Sequence, residues 1–319
     1  METASSSPPA ACRYPLDDSS STVLALPDGR KLGYASYGTP KGTPIIYVSG
    51  YPSSRIDGAG LHPEALTTGA YIICVDRPGY GLSSPHEGRS LSSFANDVEA
   101  LAEHLGLERY GVLGISGGGP YALACARMLP TDKLRGVAIV CGLGSRDMGY
   151  WGMSWLNYLG WTFGQRWFPW LCMRYMSQDP GARLDLEEGE RFKLMQKNLE
   201  KGMRSMHTKD VTMFGDPDYM WLHIRSSAET FAQGIDGVAE DFRVLSEDFD
   251  FMIEDIRKDL PVMLWHGRLD TNVPLQHAHK IVARLGNSAR LTITDDTHGS
   301  IWNERKEEFL TDLVNVIHA

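Results

Sequence analysis

Apolar positions along the chain follow two alternating patterns, and each pattern predicts a different element. Short apolar runs bounded by turn residues are typical of buried strands. They predict strands over residues 22–26, 31–37, 44–48, 72–75, 110–115, 134–140, 261–265 and 291–294. Apolar positions with helical spacing predict helices over residues 91–105, 121–128 and 304–317. Because strands alternate with helices, we expect an α/β fold, a mostly parallel sheet with helices on both faces.

The alternation stops near Gly142. Residues 146–242 show helical patterns and no core strand, and they include Trp151, Trp155, Trp161, Trp167, Trp170 and Trp221. The simplest architecture is one α/β core interrupted by a helical insertion. We therefore predict a core over 22–143 and 246–319 and an insertion over 144–245. Residues 1–21, which are rich in Ser, Pro and Ala, are predicted to form a disordered arm.

Charge and composition narrow the range of partners. The net charge of −9 argues against nucleic acid or an anionic membrane surface as the main partner. No apolar run reaches about 18 residues, so we expect no transmembrane segment. Residues 1–20 lack a basic start and an apolar stretch, and the five cysteines form no Cys-x-x-Cys pair. We expect no secretory signal and a reducing, cytoplasmic location; the oligomeric state stays open.

One short motif carries the strongest chemical signal. Gly114-Ile115-Ser116-Gly117-Gly118 lies between a predicted strand and a predicted helix, and it is the only Gly-x-Ser-x-Gly in the chain. Small neighbours allow a sharp turn that lifts the serine hydroxyl clear of the sheet. The turn also leaves the Gly117 amide at a helix N-terminus, where negative charge is favoured. In this respect the chain resembles the α/β-hydrolase fold superfamily, whose nucleophile elbow this motif matches.

The resemblance implies an acid and a base later in the chain, in that order. Asp270 follows the resumed strand in a His-Gly-x-x-Asp-x-x-Val-Pro pattern that is similar to the acid loop of many α/β hydrolases. His298 follows the last strand and precedes the last helix, so we expect it to act as the base. Neighbouring His266 is expected to be structural. Asp241, Asp248 and Asp250 are lower-ranked candidates for the acid.

The resemblance also implies an oxyanion loop after the strand that ends at Val48. The sequence there is Ser49-Gly50-Tyr51-Pro52, where related hydrolases often have His-Gly-x-Pro. The donors are therefore expected to be the amides of Tyr51 and Gly117, while Ser49 in place of histidine puts the anchoring of the loop in question. Residues 76–83 match the Asp-x-x-Gly-x-Gly-x-Ser turn of capped α/β hydrolases, a turn we expect to be structural.

These parts predict a Ser-His-Asp serine hydrolase that cleaves an ester, a lactone or a related acyl bond. The resemblance implies no metal and no organic cofactor, and the insertion is expected to be a cap over the site. Its Trp and Met content predicts a small, largely apolar substrate, with Gly50, Met148, Trp151 and Trp155 as candidate lining residues. Three alternatives stay open: an acyltransferase, a lyase- or cyclase-like enzyme using the same triad, and a receptor without turnover.

Overall fold

The structure is a computed structural model that describes residues 12–319. Its central element is one eight-stranded sheet. The strands are β1 (Ser21–Ala25), β2 (Lys31–Gly38), β3 (Thr43–Val48), β4 (Ala70–Val75), β5 (Tyr110–Ile115), β6 (Leu134–Val140), β7 (Val262–Gly267) and β8 (Ala289–Thr294). Their order across the sheet is β1-β2-β4-β3-β5-β6-β7-β8. Strand β2 runs antiparallel to β1 and β4, and every other pairing is parallel. The predicted mostly parallel sheet is confirmed.

Helices connect the parallel strands, because such strands need a crossover connection, and two further helices follow the last strand. They are α1 (His62–Thr68), α2 (Leu91–His104), α3 (Gly118–Met128), α4 (Trp155–Leu159), α5 (Gln165–Trp167), α6 (Pro169–Met176), α7 (Glu188–Gly202), α8 (Thr208–Phe214), α9 (Pro217–Thr230), α10 (Asp236–Leu245), α11 (Leu275–Leu285), α12 (His298–Glu304) and α13 (Lys306–His318). None of the helices among the described residues is both long enough and apolar enough to cross a bilayer.

Helix α2 illustrates how local sequence produces these elements. Ser90 caps its N-terminus in a capping box with Ser93, which satisfies backbone donors that the first turn leaves free. The apolar spacing then turns Phe94, Val98 and Leu101 toward the sheet, where all three are fully buried.

The apolar core lies on both faces of the sheet. On one face, side chains of α2, α3 and α11 pack against the strands, and this cluster includes Phe94, Tyr121 and Ile281. On the other face, α1, α12 and α13 cover the sheet through residues such as Ala65 and Phe309. Both faces of the central strands are therefore buried, which explains their nearly continuous apolar sequences.

The helical insertion, residues 144–245, contains helices α4 to α10. Between β6 and β7 the described chain forms no strand, in agreement with the sequence pattern. The insertion is joined to the core at both ends, since Met148 and Leu245 belong to the same apolar cluster as α2 and α3.

The N-terminal segment differs from the predicted disordered arm. Residues 1–11 lie outside the described part of the chain. From residue 12 onward the backbone is packed: Tyr14 and Leu16 are buried in the core, and Arg13 forms ion pairs with Asp216 and Asp218. The prediction of disorder for residues 12–21 is wrong, because a few apolar side chains in a Ser- and Pro-rich segment suffice to anchor it on an existing surface.

Candidate active site

The candidate residues meet where the parallel strands end. Gly50 follows β3, Ser116 follows β5, Asp270 follows β7 and His298 follows β8. Because these strands run in the same direction, their carboxyl ends lie along one edge of the sheet, which is where open α/β sheets bind ligands.

Ser116 occupies a strained turn between β5 and α3. Its φ of 51° lies in the left-handed region, which residues other than glycine rarely adopt. The glycines on either side make the turn possible. A Cβ on Gly114 would lie 2.5 Å from the Gly118 carbonyl oxygen, and one on Gly118 would lie 2.1 Å from that of Val48. The Gly-x-Ser-x-Gly motif is therefore required by space as well as by backbone conformation.

His298 bridges the serine and the aspartate. Its Nε2 lies 3.0 Å from Ser116 Oγ, and its Nδ1 lies 2.7 Å from Asp270 Oδ2. The ring is held by the start of α12, where Thr297 and Ser300 form a capping box. The structure therefore brings together the three residues that sequence analysis selected.

The pKa values of His298 and Asp270 are shifted by burial and by the charge that each residue places next to the other. Burial by itself lowers the pKa of His298, but the adjacent Asp270 carboxylate outweighs burial and raises that pKa well above its usual value. Burial raises the pKa of Asp270, whereas His298 and hydrogen bonds outweigh it and lower that pKa. Asp270 is therefore ionised at neutral pH and stabilises a proton on His298.

The backbone fixes the orientation of the aspartate. The second carboxylate oxygen, Asp270 Oδ1, accepts hydrogen bonds from the amides of Asn272 and Val273, each at 2.8 Å. His266 Nε2 donates a 3.0 Å hydrogen bond to the Val273 carbonyl and so supports this loop.

The lower-ranked acids lie elsewhere. Asp248 pairs with Arg146, and Asp250 accepts from the Ser92 amide. Asp241 pairs with the buried arginines Arg77 and Arg89. Only Asp270 among these candidates contacts His298 in the described structure.

Two backbone amides without a protein acceptor in the described structure, those of Tyr51 and Gly117, lie on the two residues that flank the serine turn. A Cβ placed on Gly117 would lie 2.6 Å from Tyr51 Cβ and 3.1 Å from Tyr51 N, so the two residues are in close contact. Within residues 12–319, neither amide donates to a protein acceptor. Gly117 also immediately precedes α3, and the helix dipole favours negative charge at that end. Two donors in this position could hold an oxyanion.

Arg77 anchors residues 49–52, the predicted oxyanion loop. Its guanidinium donates to the Ser49 carbonyl from Nη1 at 2.5 Å and to the Gly50 carbonyl from Nη2 at 2.7 Å. This answers the question that Ser49 raised, because a buried arginine from the next strand end holds the loop. This role of Arg77 was not predicted from the sequence, since the turn that contains it was expected only to shape the backbone.

The same arginine reaches the helical insertion. Arg77 Nε lies 2.8 Å from Asp241 Oδ2 in α10, and Arg89 Nη2 lies 3.0 Å from Asp241 Oδ1. The hydroxyls of Tyr80 and Tyr121 also donate to this carboxylate. All five side chains are buried, so the oxyanion loop and α10 share one charged network.

A second link joins the insertion to the loop that carries His298. Lys209 Nζ donates to Asp296 Oδ1 at 2.8 Å, and the Thr297 hydroxyl donates to Asp210. Lys209 and Asp210 belong to α8, whereas Asp296 and Thr297 directly precede His298. The insertion therefore braces both the oxyanion loop and the histidine loop.

The candidate lining residues have different positions in the structure. Gly50 lies against the serine, since a Cβ there would be 3.5 Å from Ser116 Cβ. Met148 is a core residue, 1% exposed, because its side chain packs against Gly144 beneath the surface. Trp151 and Trp155 are 79% and 74% exposed, so their side chains face solvent.

Other aromatic residues of the insertion approach the site. The Trp161 ring centroid lies 6.0 Å from that of Tyr51 and 4.7 Å from that of Phe242. Phe242 stacks on Tyr51 at 6.0 Å. These aromatic residues, rather than Trp151 and Trp155, adjoin the oxyanion loop. The insertion contains six Trp residues close together in sequence, and this clustering alone could not show which of them approach the site.

One group of potential metal ligands occurs among residues 12–319: Cys141, Asp270 and His298, whose ligand atoms lie within 4.8 Å of one another. Both ring nitrogens of His298 already have partners in Ser116 and Asp270. The hydrogen-bonded triad therefore accounts for this proximity.

Comparison with known families places the whole arrangement in context. A family model described as an alpha/beta hydrolase fold matches residues 43–304. This range includes all strands from β3 to β8 and the three residues of the triad.

Individual relatives differ in their activities. A proline iminopeptidase of Xylella fastidiosa is 24% identical over 284 residues, which are 81% of this chain and 85% of that protein. A non-heme chloroperoxidase of Streptomyces lividans is 33% identical over 119 residues, 37% of this chain and 43% of that protein. Three curated relatives, this chloroperoxidase among them, match over only 103 to 119 residues. These matches span 35% to 43% of the length of those relatives.

Among solved structures, an esterase from Exiguobacterium antarcticum superposes with a TM-score of 0.65 at 19% identity. The superposition covers 93% of this chain and 99% of that chain. At this identity the likeness establishes the fold alone, because one fold can carry many different chemistries.

Proposed function

The chain belongs to the α/β-hydrolase fold family, and on that premise we propose that it is a serine hydrolase that cleaves an ester or lactone of a small apolar compound. The observation that carries the proposal is the bridging position of His298, 3.0 Å from Ser116 Oγ and 2.7 Å from Asp270. A nucleophile, a base and an orienting acid in hydrogen-bond contact are the requirements for acyl transfer through serine.

In the first step, Ser116 Oγ attacks the substrate carbonyl while His298 Nε2 accepts its proton. Asp270 holds the other ring nitrogen as a donor and stabilises the imidazolium that forms. The carbonyl oxygen becomes an oxyanion between the amides of Tyr51 and Gly117. Each such donor contributes on the order of 3 kcal/mol to transition-state stabilisation.

In the second step, the protonated His298 gives its proton to the leaving alcohol, and the acyl group stays on Ser116. A water molecule then takes the place of the alcohol, and its oxygen attacks the acyl carbonyl carbon while His298 accepts its proton. The bond between this carbon and Ser116 Oγ breaks, His298 returns the proton to Oγ, and the acid is released.

The surroundings favour an uncharged substrate. An amino-terminal proline substrate carries an ammonium group that needs a carboxylate partner. The buried carboxylates that the described structure connects to the site are all paired: Asp270 with His298, Asp241 with two arginines, and Asp296 with Lys209 and Arg305. Trp161 and Phe242 contribute aromatic surface next to Tyr51. We therefore favour ester cleavage by a capped site over removal of an amino-terminal proline.

The test is a comparison of initial rates on nitrophenyl esters from acetate to long acyl chains, with proline nitroanilide as the amide substrate. Wild type should hydrolyse esters faster than the anilide, and Ser116→Ala should lose roughly a thousandfold or more. Faster cleavage of proline nitroanilide would establish an iminopeptidase instead.

A control separates loss of chemistry from loss of fold. Ser116→Ala should unfold close to the temperature of wild type, since alanine can keep the same backbone turn and the change removes one hydroxyl and its hydrogen bond to His298. If wild type is inert on all these substrates while folded, the ester proposal fails. Product analysis with added alcohols would then test acyl transfer.

We also propose a reducing, cytoplasmic location. All five cysteines are free, and Cys74, Cys125 and Cys141 are buried as small apolar residues. Titration of the denatured, unreduced protein with a thiol reagent should count five thiols; a lower count would indicate an oxidising environment.

A further inference from the structure

The outer surface of the insertion exposes an unusual concentration of large apolar side chains. The segment from α4 to α5 is continuous, because a π-helical turn over Gly160–Gly164 joins the two helices. Along it, one stripe with four-residue spacing faces solvent, each side chain 45% to 74% exposed: Trp155, Leu159, Phe163 and Trp167. We call these four residues the tryptophan face. Soluble proteins seldom expose a contiguous apolar stripe without a partner for it.

The opposite side of the same segment already has its partner. Tyr158 and Trp161 point inward and pack against the core cluster. The helical period therefore places one apolar side on the protein and a second apolar side in water. Packing within the chain accounts for Trp161, and it leaves the tryptophan face unexplained.

Charge indicates what the tryptophan face contacts. Residues 148–178 contain no Asp, Glu or Lys, and their charged residues are Arg166 and Arg174. The flanking arginines Arg146 and Arg183 each pair with a carboxylate, whereas within residues 12–319 no carboxylate pairs with Arg166 or Arg174. In a chain of net charge −9, this stretch is locally cationic and free of acids.

We propose that the tryptophan face docks the protein on a zwitterionic phospholipid bilayer such as phosphatidylcholine. Tryptophan prefers the headgroup region, where its ring is half apolar and half polar, and arginine beside it can bind lipid phosphate. The guanidinium of Arg166 lies 5.6 Å from the Trp167 ring centroid, so the two groups occupy one surface. The acidic remainder of the protein disfavours strongly anionic lipid.

A second copy of the chain fits this face less well. A two-fold contact places the same patch on both sides, so Arg166 and Arg174 would meet an acid-free stretch with no carboxylate to pair with them. Phospholipid supplies both the apolar layer and the phosphate that the patch lacks.

Docking would also place the proposed site beside the membrane. Trp161 lies on the inner side of the docking segment and contacts Tyr51 of the oxyanion loop. An apolar ester dissolved in the bilayer could then enter from that side, a consequence that rests on the proposed function. Binding itself does not require turnover.

The experiment is co-sedimentation with phosphatidylcholine vesicles, using the full chain with Ser116→Ala so that no lipid is hydrolysed. This protein should sediment with the vesicles, and the added pair Phe163→Ser and Trp167→Ser should weaken partitioning roughly tenfold or more. A matched pair at exposed apolar positions elsewhere, Leu66→Ser and Met252→Ser, should leave partitioning unchanged. Equal thermal unfolding of all variants shows that the fold is intact.

Two results would overturn the proposal. One is the absence of sedimentation at any lipid excess; the other is equal sedimentation of the Phe163→Ser/Trp167→Ser variant and its parent. If, without vesicle binding, light scattering finds a dimer that this pair dissociates, the face is a contact between copies. Failure of the ester assay with intact vesicle binding would refute the proposed function alone.

Discussion

Arg77 and Asp241 form a buried ion pair, 2.8 Å between Nε and Oδ2, that connects the oxyanion loop to the helical insertion. The same guanidinium donates to the carbonyls of Ser49 and Gly50. A buried charge is stable only when its partners hold it in place, so the position of Asp241 constrains the position of the loop. The insertion is thereby connected to the site's backbone donors.

Arg77→Lys should lower kcat about tenfold or more with little change in KM. Lysine keeps the charge, but its ammonium cannot hold two carbonyls and a carboxylate in one plane as guanidinium does. The loosened loop misplaces the Tyr51 amide, which acts mainly in the transition state. Steady-state kinetics on a soluble ester measures kcat and KM separately. Arg30→Lys is the control, because Arg30 also binds a buried carboxylate, Asp97, in another part of the chain; equal losses in both variants would refute a positioning role.

Gly117→Ala should reduce kcat by roughly a hundredfold. The added Cβ would lie 2.6 Å from Tyr51 Cβ, so the two amides must separate. Gly189→Ala in α7 is the matched control, since a Cβ there has no neighbour within 4 Å. That variant should keep full activity and gain up to about 1 kcal/mol in the free energy of unfolding. Unchanged activity of Gly117→Ala would remove Gly117 from the oxyanion site.

The pH dependence of kcat/KM should show an acid limb above pH 6.5. His298 must be neutral to accept the serine proton, and the Asp270 carboxylate raises the pKa of His298 above its usual value despite burial. Activity therefore rises as pH increases through that raised pKa. In Asp270→Asn the charge is lost while burial remains, so the residual activity should titrate at lower pH than in wild type. If the acid limb of the kcat/KM profile lies at the same pH in Asp270→Asn and in wild type, a group other than His298 controls that limb.

Asp296→Asn should destabilise the protein without removing any triad member. Burial raises the pKa of Asp296, but Lys209, Thr294 and Arg305 outweigh it and lower that pKa to about 2. A lowered folded-state pKa stabilises the protein above the unfolded value of 3.8 and loses that effect as pH falls toward about 2. Urea unfolding should show a loss of about 2 kcal/mol at pH 7, roughly halved at pH 3. A difference independent of pH would indicate a cause other than ionisation.

The residues of the triad were predictable because each lies in a local pattern. Ser116 needs glycines on both sides, Asp270 follows a strand in a loop of recognisable composition, and His298 lies between the last strand and its helix. Each of these patterns involves only a few neighbouring residues, so it can be recognised in the sequence without knowledge of the tertiary structure.

Arg77, Lys209 and Asp241 were not predictable in their actual roles. Each acts through a partner far away in the chain, and an isolated charged residue gives no sign of which distant carbonyl or carboxylate it meets. The ordered structure of residues 12–21 was also not predictable, because it depends on contacts with segments far away in the chain. Tyr14 is buried by a surface that those segments form.

By itself the sequence determined which segments form strands and which form helices, and that the sheet is mostly parallel. It also determined the order along the chain of the candidate nucleophile, acid and base. These depend on local apolar spacing and on short turns. Tertiary structure alone decided which side chains face the site, which brace it and which face outward. Trp161 lies inward and Trp167 outward on one helical segment with similar local composition, because contact with the core selects a side and composition does not.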